Sequence, residues 1–256
     1  MTANDAARAA ALGLALLALA FSGRCRGGEA EGFPGPAGEG EMARVFRTTD
    51  SGCVLAVFSA SPLADGVPPE GLRLAAIRAL GRSPGSAAFF YWSRQDLAER
   101  WIRGQLEARR RRGFPLRLIL AGHSQGGATA ADMAKTLLDR ESDAEIALLL
   151  TIDAVKTGRI ETAAGAAGAA IANRIPGLNV NFTAYDAAPV PDGRRFWSHV
   201  NYYQDKSRFS RGAPMPGAEN HRLEDRGGLL NHGNADDFAL PFLTADLRAA
   251  IGGVAP

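Results

Sequence analysis

Cysteine is scarce in this 256-residue chain: Cys25 and Cys53 are the whole complement, with no C-x-x-C pair and no Cys/His cluster at metal-ligand spacing. A disulfide framework and a structural zinc site are therefore not expected. Excess charge of one sign is missing too, since 29 Lys and Arg stand against 27 Asp and Glu. That balance speaks against a nucleic-acid partner. No apolar run approaches the roughly 20 residues that a bilayer-spanning helix needs. The glycine-rich stretch at 32–40 lacks a strand before it and a helix after it, so no nucleotide cofactor is implied. Repeats of solenoid period are absent. What remains is an ordinary globular composition, 46% apolar and 22% charged, with length for one large domain.

Residues 9–21 (AAALGLALLALAF) form an apolar run behind Arg8 and the chain's amino terminus. Its length suits the hydrophobic region of a secretory signal peptide, and Ala18 and Ala20 supply the small residues of a cleavage site. The expectation is export, to a periplasm or the medium, with residues 1–20 as signal peptide or uncleaved membrane anchor. Lipidation at Cys25 fits poorly because Arg24 precedes it. After export Cys25 and Cys53 would meet an oxidising environment, and nothing in the sequence shows whether they are close. Residues 21–41, rich in Gly, Pro and Glu, have little to bury and read as a linker. The folded domain is expected over 42–256.

Within that domain, continuous apolar runs at 52–60, 86–92, 116–121, 145–152 and 199–203 predict strands buried on both faces. Helical spacing of apolar residues predicts helices over 69–80, 96–112 and 235–251. Strand–helix alternation of this kind predicts an α/β fold with a mostly parallel sheet. The basic run 109–112 reads as a solvated helix end, where cations complement the dipole. The Ala/Gly tract 163–170 has no large side chain to anchor it. The long stretch 154–197 around it reads as a lid, a pocket wall or a plain cover for the sheet.

The chemistry concentrates in LRLILAGHSQGGATAADMAKTLL, residues 116–138. Gly122-His123-Ser124-Gln125-Gly126 matches G-x-S-x-G between a predicted strand and a predicted helix. A serine lifted on so sharp a turn needs small residues two positions to either side, which Gly122 and Gly126 provide. The helix that follows aims its positive end at Ser124, favouring the anion formed when a carbonyl is attacked, and the N–H of Gln125 is a natural oxyanion donor.

On these residues the chain resembles the α/β-hydrolase superfamily, GHSQGG being similar to the nucleophile elbow of its lipases and esterases. The resemblance implies a single α/β-hydrolase-like domain and a triad in the chain order Ser, Asp or Glu, His. It makes Ser124 the nucleophile. His123, its neighbour, should point elsewhere, leaving His199, His221 and His232 as bases. His199 lies in a predicted strand. His221 and His232 lie in the loop-rich region after it, and His232, just before the last helix, is preferred. Asp153, directly after the strand 145–152, is the preferred acid, as in pancreatic-type lipases. Asp205 and Asp186 are the alternatives. The second oxyanion donor falls at Ser59-Ala60-Ser61, with Ala60 chosen, although the His-Gly pair common there in the superfamily is missing. The implied activity is cleavage of a carboxylic ester, small-molecule or lipid, through an acyl-enzyme, with contact to a membrane surface open and no cofactor or metal. A thioesterase or acyltransferase on the same site, or an inactive binding scaffold, are the competing readings. Oligomeric state is not legible.

Overall fold

A computed structural model describes residues 44–46, 53–59, 70–80, 86–92, 94–111, 113, 117–157, 182–185, 187–206, 211–225 and 227–252. The expected leader and linker, the Ala/Gly tract, and the candidates Ala60 and Asp186 lie outside these residues. Among the described residues no helix is long and apolar enough to cross a membrane.

The chain builds nine strands and four helices among those residues: β1 (Arg44–Phe46), β2 (Cys53–Ser59), α1 (Glu70–Leu80), β3 (Ser86–Tyr91), α2 (Gln95–Arg110), β4 (Arg117–His123), α3 (Gln125–Arg140), β5 (Glu145–Ile152), β6 (Val155–Thr157), β7 (Phe182–Ala184), β8 (His199–Tyr203), β9 (Glu219–Arg222) and α4 (Ala235–Gly252). Seven strands form one sheet in the order β1-β3-β2-β4-β5-β8-β9. All neighbours are parallel except β1 with β3. This is an α/β fold, a mostly parallel sheet flanked by helices. The elbow strand β4 lies at the centre, covered on both sides, which is why its sequence reads as an unbroken apolar run.

The pleat sorts β4 between two cores. Leu118 and Leu120 face α2 and α3 and pack with Phe58, Phe90, Ile102, Leu106 and Leu137. Ile119 and Ala121 face α1 and α4 and pack with Leu55, Leu72, Ala239, Leu243 and Leu247. His123 continues the odd-numbered series, so its side chain leaves the sheet on the α4 side. On the other face, α3 presents Ala128, Ala130, Ala131 and Ala134, all buried, and these small side chains let the helix lie close to the strands. Its C-terminal end is closed by Arg195, whose guanidinium donates to the carbonyls of Leu138 (3.0 Å), Ala144 (3.3 Å) and Glu141. Of these, Leu138 lies in the last helical turn, whose carbonyls have no intrahelical partner.

Several expectations need correction. The strand at 199–203 does not end the sheet: β9 follows, parallel to it, and His221 sits in that strand rather than in a loop. The sequence ENHR carries no apolar signal because β9 is a mostly exposed edge. Within 154–197, residues 182–184 form β7, which pairs antiparallel with β6 in a separate two-stranded sheet. The basic helix end at 109–112 is not simply solvated. Arg109 is buried, and Arg110 donates to Asp143 and Glu141, which holds the Asp143 carboxyl below its ordinary range.

In β8, His199 is buried among sheet residues, 3.1 Å from Thr151 Oγ1, and loss of solvent holds its imidazole down to about 4 from the usual 6.5. The unfolded chain therefore takes up this proton at higher pH than the folded one. The contribution to stability is complete above pH 6.5 and is lost as pH falls towards 4, by about 3 kcal/mol. Urea midpoints measured across that window are expected to fall more steeply for the wild type than for His199→Gln, and parallel curves would contradict the assignment.

Candidate active site

The site forms where β4 and β5 end side by side at the C-terminal edge of the sheet, the usual location of sites in such folds. Ser124 has φ 57° and ψ −125°, a conformation L-residues seldom hold. The turn is clamped from both sides. Its N–H donates to Ile152 O at 2.9 Å, and its carbonyl accepts from Gly127 at 3.0 Å and Val155 at 3.2 Å. The strain is tolerated because the glycines let the strand and helix close on each other. A Cβ on Gly122 would stand 2.1 Å from the main-chain oxygen of Gly126, and one on Gly127 would stand 2.8 Å from the Ala154 Cβ.

Asp153 is the other non-glycine residue with positive φ among those described, at 46°. Its N–H donates to Tyr202 O at 2.6 Å. Ser124 and Asp153 thus occupy matching strained turns at the ends of adjacent strands, stitched to each other through β5. The Asp153 side chain has no solvent exposure, and its carboxylate is satisfied by four donors. Oδ1 accepts from the main-chain N–H of Gly212 (2.6 Å) and of Gln204 (3.2 Å), while Oδ2 accepts from Gln204 Nε2 (2.7 Å) and His232 Nδ1 (2.6 Å). A buried carboxylate requires such pairing.

His232 stands in the 3-10 turn His232–Asn234 that leads into α4, preceded by Asn231 as cap. Its Nε2 accepts from Ser124 Oγ at 2.6 Å. Donation from Nδ1 to Asp153 leaves Nε2 as the acceptor, the tautomer a general base needs. Ser124 is buried, at 8% exposure, and the His232 side chain keeps 21% of its own surface exposed.

Thus Ser124, Asp153 and His232 come together, and among the described residues Asp205, His221 and His199 do not join them. Asp205 pairs with Arg222 at 2.9 Å. His221 pairs with Glu219 at 3.0 Å and stacks on Tyr202. His199 is engaged with Thr151. Gln125 opens α3 as expected, with its N–H next to Ser124 at the positive end of the helix. Gln204 and Gly212 escaped the sequence reading. Gln204 had one positional signal, following a strand directly at the site edge. Gly212 had none, since its value lies in approach: a Cβ there would meet Asp153 Oδ1 at 2.2 Å. Among the described residues no cluster of metal-ligating side chains occurs.

No family model matches the chain, and no curated protein does. Among solved structures it is similar to the esterase domain of a Rhodothermus marinus protein, with 17% identity over 80% of this chain and 91% of that one, at a TM-score of 0.42. It is also similar to a type II thioesterase of the yersiniabactin biosynthetic pathway, with 12% identity, coverage of 84% and 100%, and a TM-score of 0.44. A third likeness is an alpha-beta serine hydrolase homologue from Coxiella burnetii, with 13% identity, coverage of 80% and 90%, and a TM-score of 0.41.

Gly122→Ala is expected to cost more than about 4 kcal/mol, or to abolish folding, because the new methyl meets rigid backbone. Gly104→Ala is the control. It lies exposed within α2 with nothing within 4 Å of an added Cβ, and should stabilise by about 0.5–1 kcal/mol in thermal or urea unfolding.

Proposed function

We propose that the chain is a serine hydrolase of carboxylic esters that works through an acyl-enzyme on Ser124. The observation that carries this reading is the unbroken relay of hydrogen bonds from Ser124 Oγ through His232 to the buried Asp153, each link 2.6 Å. A serine hydroxyl is a poor nucleophile until a base takes its proton, and an oriented imidazole backed by a carboxylate is the arrangement that does so.

In the proposed cycle Ser124 Oγ attacks the substrate carbonyl as its proton passes to His232 Nε2. Asp153 stabilises the imidazolium. The oxyanion meets the N–H of Gln125 and the positive end of α3, with Ala60 as the second donor. His232 then protonates the departing alcohol, the ester bond breaks, and the acyl group stays on Ser124. Water attacks the acyl-enzyme by the same route and releases the acid. An exported protein with a cleaved or anchoring leader remains our proposal for its setting.

Turnover of a short p-nitrophenyl ester and labelling by a fluorophosphonate test this reading. Ser124→Ala is expected to lower turnover by about a million-fold and to abolish labelling while the protein stays folded. Asp153→Asn should lose about 10⁴-fold. Asp205→Asn, which removes only an exposed ion pair, should stay within about two-fold of wild type. Wild-type protein that is folded yet neither labels nor hydrolyses would point instead to an inactive scaffold.

A further inference from the structure

His123 is an unusual residue to find at the end of a central strand. It is 5% exposed, and it precedes the nucleophile without touching the hydroxyl. Pleat alternation sends its ring to the α4 side of the sheet, where Nε2 lies 2.7 Å from the main-chain oxygen of His232. A carbonyl oxygen only accepts, so this nitrogen carries the hydrogen and donates. The two imidazole rings lie 5.2 Å apart and inclined by 33°.

The segment that delivers His232 is largely exposed. Gly227 and Gly228 have φ 90° and 75°, residues 227–229 and 231 are exposed, and Leu230 alone among 227–231 is buried. The hydrogen bonds of Asn231 and Asn234 within the turn shape it locally but do not join it to the sheet. Among the described residues the turn is held through buried Leu230, whose N–H donates to Asp225, through the triad bonds, through His123, and through the buried start of α4, where Asp236 accepts from the N–H of Leu72.

We infer that His123 is a positioning residue, whose Nε2–H holds the His232 carbonyl and so sets the base at hydrogen-bond distance from Ser124. The inference rests on the proposed role of His232 as base. Nucleophile and base then share one anchor, because the residue gripping the His232 backbone is bonded directly to Ser124. The ring stays neutral in this role. Burial lowers its pKa, against the pull of the Asp236 and Asp153 carboxylates and with the help of the neighbouring His232, so the positive charge formed in the reaction falls on His232 alone.

Three variants separate donation from packing. His123→Leu removes the donor, His123→Asn keeps an amide too short to reach the carbonyl, and His123→Gln keeps one that can. For Leu and Asn, kcat on the p-nitrophenyl ester and the rate of fluorophosphonate inactivation are expected to fall about 10- to 100-fold, with KM within about two-fold. Gln should recover most of the loss. NMR of imidazole-labelled protein supplies a readout independent of turnover: the downfield His232 Nδ1 proton bonded to Asp153 should persist in wild type and Gln and broaden or vanish in Leu and Asn. Wild-type rates with an intact resonance in the Leu variant would overturn the inference. So would equal impairment of Gln and Leu with the resonance retained in both. Should Leu fail to fold, the Gln–Asn pair decides alone. If wild-type protein proves inert to the fluorophosphonate, the hydrolase reading fails while the resonance still decides the His123 contact.

Discussion

Serine at φ 57° sits in a region that the Cβ of an L-residue makes costly, typically by 1–3 kcal/mol. Such a turn persists only where its surroundings leave no alternative, and here they do not: β5 takes the Ser124 N–H, while Gly127 and Val155 take its carbonyl. The chain can reach that geometry only because Gly122 and Gly127 remove side chains from the closest approaches. The strain also has a chemical consequence. It lifts Oγ off the end of β4, next to the first amide of α3 and within 2.6 Å of an imidazole, so the groups a nucleophile needs converge without further adjustment.

The acid repeats the arrangement one strand away. Asp153 takes a second positive φ at the end of β5, and its buried carboxylate is surrounded by donors from Gln204 and Gly212, in the segment that follows β8, and from His232. That shell costs the protein a glycine at 212, where no side chain fits, and commits Gln204 by both main chain and side chain. With four donors placed, the carboxylate has little freedom to rotate, and the imidazole it binds inherits that orientation. Ser124 and Asp153 therefore stand at strand ends, while the largely exposed turn carrying His232 is tied back to β4 through His123.

Legibility from sequence followed burial. The central strands announced themselves as unbroken apolar runs because both faces are covered, and α1, α2 and α4 fell within a residue or two of their expected bounds because each buries a single face. The edge strand β9 was invisible, since ENHR has nothing to bury, and that omission misplaced His221 in a loop. Arg110 read as part of a solvated helix end for a similar reason: no local pattern reveals that Asp143 and Glu141 fold back against it. The Ser124 elbow was legible because its requirement is local, two small residues around a serine between a strand and a helix.

From the sequence alone came the fold class, the serine elbow and a short roster of carboxylates and imidazoles able to pair with it, since each of these depends on residues within a few positions of one another. Which carboxylate meets which imidazole was decided only by the tertiary structure. Asp153 and Asp205 both follow a strand, and His221 and His232 both follow β8 in the chain. They differ in what lies across the sheet: Asp153 faces the turn before α4, whereas Asp205 and His221 face charged neighbours at the β9 edge. Contacts between residues separated by 79 and 108 positions arise from strand order and the packing of α4, and no local pattern encodes them.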